Sequence, residues 1–355
     1  MQGWITSSQL YTIINIMDNL CGTIEPSHRK AYFYFDRGMK AFVSDGCSKL
    51  LLNFSRDFLP FDGVFILPIQ YLKGLLRGCS LKEDKLVDII IEDGFISFNF
   101  EEMSLKAPVQ KSSYPPAIDT KFDVISQSSI KKFIYSCDFA SAAFMEGDMI
   151  TVESTGKYIY FYGCGGFFQL IAKYTQSSFD FRRAIEYTTM RHVVKALQFF
   201  RKDSVLSIGI NEHSLLIYVP GSVISICTDT PDALNTIVLE KNFEEVIELD
   251  SSFLKKALDK LYISFSKGVK AYFMINSERS LIYTQENDSH ISFNLPYKSR
   301  NSYLIGFNSR KMRSILSRMP LSLILGLTKK EAVIKDKEEV LIAKFPVQEY
   351  KLTLK

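Results

Sequence analysis

The chain repeats itself three times, and that periodicity limits its possible folds more than any other feature. Three segments share an alternating apolar run, a serine-rich helix start and an amphipathic helix. They are W-I-T-S-S-Q-L-Y-T-I-I (4–14), V-I-S-Q-S-S-I-K-K-F-I (124–134) and E-L-D-S-S-F-L-K-K-A-L (248–258). Their serines suit the cap position, where a hydroxyl accepts hydrogen bonds from the unpaired amides of a first helical turn. The apolar anchors Leu10, Ile130 and Leu254 lie 120 and 124 residues apart. A second helix recurs in L-P-I-Q-Y-L-K-G-L-L-R (67–77), T-T-M-R-H-V-V-K-A-L (188–197) and N-S-R-K-M-R-S-I-L (308–316). Its anchors Leu72, Val193 and Met312 are 121 and 119 residues apart. Two independent anchors with one period make chance a poor explanation.

Between the helices the sequence reads as strands: 41–46, 88–100, 158–163, 205–210, 214–219 and 271–275 are rich in β-branched and aromatic residues and are bounded by turn residues. Each repeat then holds two helices and roughly eight short strands. Proline interrupts the strand pattern at 112–120 and 228–235, which marks these stretches as linkers. The expected architecture is α+β, three copies of one domain, with bounds at 1–118, 119–241 and 242–355.

Composition narrows the class. Hydrophobic residues at 46% and charged residues at 23% exclude a wholly disordered chain. No apolar run approaches the roughly 20 residues that span a bilayer, and the start lacks the basic and apolar regions of a secretory signal. A cytoplasmic protein is therefore expected, with no membrane association. The six cysteines, Cys21, Cys47, Cys79, Cys137, Cys164 and Cys227, include no C-x-x-C pair, so they read as reduced, buried thiols rather than a zinc site or disulfide framework.

The net charge of +4 says little by itself; its distribution says more. The six helical segments (6–21, 68–77, 126–140, 187–202, 252–261 and 309–319) carry 15 Lys/Arg against 3 acids, while the remainder carries 28 against 36. Arg191, Lys195, Gln198 and Lys202 follow one helical face, and Met190, Val193, Val194 and Leu197 follow the opposite one. Ordinary solvated helix faces mix signs, because Glu and Lys one turn apart stabilise them. A one-signed helical surface instead suits a polyanion. Nothing resembles a helix built to read base edges, so the expected ligand is duplex phosphate bound without sequence preference.

Catalytic signatures are missing. S-x-x-K occurs at Ser128/Lys131 and Ser252/Lys255 without K-T-G or S-D-N, and no G-K-[ST] follows the glycines Gly163, Gly165 and Gly166. The four histidines are scattered and form no metal motif. The expectation is a protein that is not an enzyme and needs no cofactor or metal.

Three α+β domains, each with two helices and a basic helical surface, resemble the bacterial β sliding clamp of the replicative polymerase. The resemblance covers the whole chain. Its fragments are the F-x-V-x-x-x-x-L-type entries at 122–130 and 246–254, S-D-G at 44–46, the proline-containing linkers, and F-P-V at 345–347, which is like the family's terminal Met-Pro segment. The resemblance implies the clamp (processivity) fold and a head-to-tail homodimer. Its six domains would close a ring around double-stranded DNA, with helices inside and sheets outside. The implied DNA-facing residues are Lys73, Arg77, Lys131, Lys132, Arg191, Lys195, Arg201, Lys202, Lys256, Lys260, Arg310 and Arg313, with Arg29 and Lys30 from a basic loop after the first helix.

It also implies a pocket between the second and third domains that takes an apolar peptide from a DNA polymerase and the clamp loader. Its residues here would be Gly165, Phe167, Phe168, Phe345, Pro346 and Val347. The family's T-D-G-H-R-L-like segment has become G-C-G-G-F-F (163–168), without the Asp, His and Arg, and residues 348–355 run past the usual end. The alternative reading is a divergent clamp-fold accessory or scaffold protein that does not support replication.

Overall fold

The computed structural model describes residues 2–55, 62–77, 84–92, 94–101, 103–110, 118–119, 122–142, 148–165, 168–177, 179–230, 242–264, 270–286 and 289–348. The element order of one repeat recurs in each third of the chain: strand, helix, four strands, helix, three strands. The first third contains β1 (Gln2–Thr6), α1 (Ser7–Leu20), β2 (Lys30–Phe35), β3 (Met39–Ser44), β4 (Ser48–Ser55), β5 (Val64–Pro68), α2 (Ile69–Leu76), β6 (Leu86–Glu92), β7 (Phe95–Phe100) and β8 (Met103–Gln110). The second contains β9 (Asp123–Ser129), α3 (Ile130–Ala140), β10 (Met149–Thr155), β11 (Tyr158–Gly165), β12 (Phe168–Gln176), β13 (Asp180–Glu186), α4 (Tyr187–Leu197), β14 (Val205–Ile210), β15 (Ser214–Val219) and β16 (Ser222–Cys227). The third contains β17 (Glu245–Asp250), α5 (Ser251–Ser264), β18 (Lys270–Ile275), β19 (Ser280–Glu286), β20 (Ser289–Leu295), β21 (Tyr303–Asn308), α6 (Ser309–Ser317), β22 (Ser322–Leu327), β23 (Glu331–Asp336) and β24 (Leu341–Gln348).

Local chemistry explains the elements. In β6 Val87, Ile89 and Ile91 are buried while Leu86 and Asp88 are exposed, the period-2 alternation of a half-buried strand. In α6 Met312, Ile315 and Leu316 are buried while Arg310 and Arg313 are exposed, the helical period. One expected serine cap is present, the Ser129 hydroxyl accepting from the Lys132 amide at the start of α3, while at α1 and α5 other residues take that position. Thr6 caps α1 in a reciprocal box with Gln9, and the Asp250 carboxylate accepts from the Ser252 amide at the start of α5. A carboxylate or threonine does the same work as serine and places the cap one or two residues earlier.

Packing divides the chain into two compact units, 1–134 with 188–229, and 135–187 with 230–355, so the middle repeat contributes to both. Among the described residues all ladders are antiparallel. The first unit carries one sheet in the order β1-β6-β7-β8-β5-β2-β3-β4-β16-β15-β14-β9. Its first two repeats join at β4–β16, in the register Leu52 to Ser222, Leu50 to Ile224 and Ser48 to Ile226. Its helix α1 lies on β3 and β4 and drives Leu10, Ile14, Met17 and Leu20 into the core. The His192 imidazole of α4 rests directly on Gly22 just past α1, where any β-carbon would collide with the ring.

The second unit carries β13-β10-β11-β12-β24-β21-β18-β19-β20, with β23, β22 and β17 continuing from β24. Its two repeats join at β12–β24, Gln169 opposite Lys344 and Ala172 opposite Leu341. Across this junction the Tyr135 hydroxyl donates to the Arg318 carbonyl at 3.0 Å, and the Arg318 guanidinium holds Asp138 at 2.7 Å.

Several expectations need correction. Residues 126–129 belong to β9, so α3 starts at Ile130; α4 stops at Leu197, so Arg201 and Lys202 sit in the following turn. Edge pairing with β14 outcompetes helix for the serine-rich 126–129, and i to i+3 bonds at Phe199 and Phe200 close α4 early. The thiols are not uniformly buried: Cys21 and Cys137 are, Cys164 is half-buried, and Cys47 and Cys227 are exposed. Cys79, most of the 112–120 linker and residues 231–235 lie outside the described residues. Among the described residues no helix is long and apolar enough to cross a membrane.

Candidate nucleic-acid interface and partner pocket

The basic positions fall into two kinds. Lys30, Arg77, Lys131, Lys132, Arg191, Arg201, Lys202, Lys256, Lys260, Arg310 and Arg313 are exposed, and Lys195 is half-buried. The fold gathers four of them. The Lys131 amide donates to the Lys202 carbonyl at 3.2 Å, which sets Lys131 and Lys132 at the start of α3 beside Arg201 and Lys202 after α4. These pairs are some 70 residues apart in sequence, and only the closed repeat brings them together.

Arg29 and Lys73 have a different task. Asp18, near the end of α1, keeps only 12% of its side chain exposed and receives the Arg29 guanidinium at 2.7 Å and the Lys73 ammonium at 2.6 Å. Arg29 also donates to the Ile24 and Gly22 carbonyls, so its whole fork is turned inward. Burial raises the Asp18 carboxyl pKa, but the hydrogen bonds from Lys73 and Arg29 outweigh it and hold it below the usual carboxylate range. A buried carboxylate left unpaired is costly, which is why the loop base folds back rather than outward. The other two helical acids are paired as well, Asp138 with Arg318 and Asp259 with Arg313. The three acids thus act as struts, and the sequence tally hid that role.

The pocket residues converge at the end of β11 and on β12 and β24. Phe168 lies opposite Gly165 in the β11–β12 ladder, and its ring covers that glycine; a β-carbon at Gly165 would come within 2.8 Å of the ring. The Phe345 ring sits 6.2 Å from that of Phe168, tilted by 37°. Phe345 is only 2% exposed and lies in the core beneath Phe168, whereas Pro346 is exposed and Val347 half-buried. Gly166 and Phe167 lie outside the described residues.

The third side is a residue that the sequence reading did not assign to the pocket. Asn308 caps α6 by accepting from the Lys311 amide, and the Lys311 ammonium stands 5.6 Å from the centre of the Phe168 ring. A cation over an aromatic face is attracted by the ring's quadrupole. The arrangement sets aromatic surface beside one positive group. Spacing alone gave Lys311 away only as one more helical base. Among the described residues no cluster of three or more His, Cys, Asp or Glu could hold a metal ion.

The fold that carries these features is the sliding-clamp fold of DNA polymerase III β subunits. The β subunit from Pseudomonas aeruginosa superposes with a TM-score of 0.80 at 13% identity, covering 98% of this chain and 100% of that one. The one from Thermotoga maritima gives 0.81 at 10% identity, with 99% and 100% covered. The sliding clamp from Bacillus subtilis gives 0.79 at 12%, with the same coverage. No family model and no curated protein matches the chain. At such identities the likeness is one of fold.

Proposed function

We propose that this protein is a DNA sliding clamp, a cytoplasmic ring subunit without enzymatic activity that encircles duplex DNA and tethers a polymerase to it. The observation that carries the reading is the full-length match to polymerase III β subunits at TM-scores near 0.80. The one-signed helical surface supports it. Lys and Arg with few competing acids neutralise phosphates without reading sequence, so a ring held by topology can still slide. The three domains are assigned to 1–118, 119–241 and 242–355, each with eight strands and two α-helices among the described residues. Within the DNA-facing set, Arg29 and Lys73 act by supporting α1 and α2 rather than by touching phosphate.

The strand edges support a homodimer. Within the chain the repeats join by one rule, the fourth β4-type strand of one against the last strand of the next: β4 with β16, and β12 with β24. The remaining pair under that rule is β20 with β8. Among the described residues β20 is paired only to β19, and β8, apart from β7, meets β5 only at Val109 and Gln110. Pairing β20 of one copy with β8 of another repeats the rule, joins two chains head to tail and removes both edges.

The pocket is assigned to an apolar peptide of the polymerase and the clamp loader, with an acidic residue set against Lys311. The loss of the family's Asp, His and Arg at 163–168 favours one second reading, an accessory clamp serving other partners. A processivity assay on primed circular DNA, with and without the protein, tests the reading. Longer products in its presence are expected. Loading onto the circle without longer products would favour the accessory ring, and failure to be retained on circular DNA would overturn both.

A further inference from the structure

Two thiols that the sequence separates by 180 positions meet at one junction of the sheet. The β4–β16 ladder, in which Ile226 faces Ser48, continues one step further, and there the Cys227 amide donates to the Cys47 carbonyl at 2.8 Å. At the other end of the ladder the Asn53 amide donates to the Gly221 carbonyl at 2.9 Å, so 53/221, 51/223, 49/225 and 47/227 are all hydrogen-bonded pairs of the antiparallel pattern. Residues directly opposite in such pairs point to the same face, with α-carbons about 5.5 Å apart. That spacing lies within the roughly 4.4–6.8 Å over which disulfide α-carbons are found, and the β-carbons need close by only about 1 Å to bridge.

The local turn holds Cys47 in place. Gly46 takes φ +98°, open to glycine but strained for other residues, and the Asp45 carboxylate accepts from the Cys47 and Ser48 amides. The Cys227 sulfur leans toward this turn, 3.9 Å from the Gly46 carbonyl. Both side chains are exposed and open to a soluble oxidant. Cys21 and Cys137 differ: burial pushes the Cys21 thiol up to about 12 and the Cys137 thiol well above its ordinary value, so neither supplies thiolate.

We propose that Cys47 and Cys227 form a reversible disulfide across the β4–β16 ladder, a covalent staple on the seam between the first two repeats. The inference does not rest on the clamp reading. With glutathione disulfide as oxidant, one protein thiol loses its proton and attacks a glutathione sulfur, breaking that S–S bond and releasing one glutathione. The second protein thiolate attacks the protein-side sulfur of the mixed disulfide and releases the second glutathione. Two electrons pass from the protein to the oxidant, and the two protons shed by the cysteines match those taken up by the two glutathiones. The staple closes a loop of some 180 residues, and a long closed loop restricts the unfolded chain more than a short one does.

The test uses the full chain, titrated natively with glutathione disulfide against glutathione, trapped by alkylation and read by intact mass and peptide mapping. The expected product is a single chain lighter by about 2 Da, the two thiol hydrogens, with one cross-linked peptide pair containing Cys47 and Cys227. Its thermal midpoint should rise above that of the reduced protein and return on reduction. Cys227→Ser should give only a glutathione adduct at Cys47, with no rise in midpoint. Stable glutathione adducts on both cysteines of the wild type, a cross-link between two chains, or an earlier cross-link involving another cysteine would each overturn the proposal. An equal rise in midpoint for Cys227→Ser would overturn the staple as its cause.

Discussion

Asp18 shows how one side chain sets the geometry of its surroundings. Its carboxylate joins α1, α2 and the loop that carries Arg29. Asp18→Asn keeps the volume and leaves two cations without their counter-charge, so a loss of about 3 kcal/mol is expected in urea unfolding. The sign with pH follows from a folded pKa below the unfolded one. The stabilisation is present above the ordinary aspartate value of about 3.9 and disappears as pH falls through the folded value. The gap between wild type and mutant should therefore close on acidification; a constant gap would show that the charge is not what holds the loop. In the pocket, Phe345 is too buried to serve as a clean probe, since truncating a core aromatic costs about 3–5 kcal/mol of stability. Half-buried Phe168 is the better one. Phe168→Ala should weaken an apolar peptide by about 1–3 kcal/mol in calorimetry, and Lys311→Ala should weaken only acidic peptides. Equal binding of acidic and neutral peptides to wild type would remove Lys311 from the site.

At the scale of elements, α4 has a buried face and a basic one. Its buried side (Met190, Val193, Ala196 and Leu197) fixes it to the sheet, and Arg191 and Lys195 point elsewhere. Reversing Arg191, Lys195 and Lys202 to Glu should leave folding intact and sharply reduce retention on circular DNA, with the salt slope falling by roughly 0.9 for each lost phosphate contact. Unchanged retention would mean that α4 does not face DNA. The same helix presses His192 onto Gly22. Burial, reinforced by Lys195, Arg191 and Arg29, lowers the His192 pKa, so the fold favours the neutral ring. That contribution is present above the ordinary histidine value of about 6.5 and is lost as pH falls below it. The thermal midpoint should decline between pH 7.5 and 5.5 in wild type and decline less in His192→Gln. Parallel declines would place the effect elsewhere.

For the molecule as a whole, the proposed assembly turns on β8 and β20, the strands whose outer edges are unpaired among the described residues. Sedimentation should give about 81 kDa, twice the 40.6 kDa chain. Ile291→Asp in β20 should shift the population to monomer, because a charge on the joining strand penalises edge pairing. A wild type that stays monomeric at all concentrations would count against the ring.

The sequence by itself determined the threefold repeat, the α+β class, the helices and most strands, because hydrophobic period and turn chemistry are local and recur every 120 residues or so. It also showed that bases gather on helices. What it could not show was which charges face outward. Arg29 and Arg77 look alike in the sequence, yet one is locked onto Asp18 and the other is exposed. Pairings such as Lys131 beside Lys202, Lys311 over Phe168 and Cys47 against Cys227 join residues 71, 143 and 180 positions apart. Only the register of the folded sheets decides such contacts, since each depends on ladders and helix packing that no local pattern encodes.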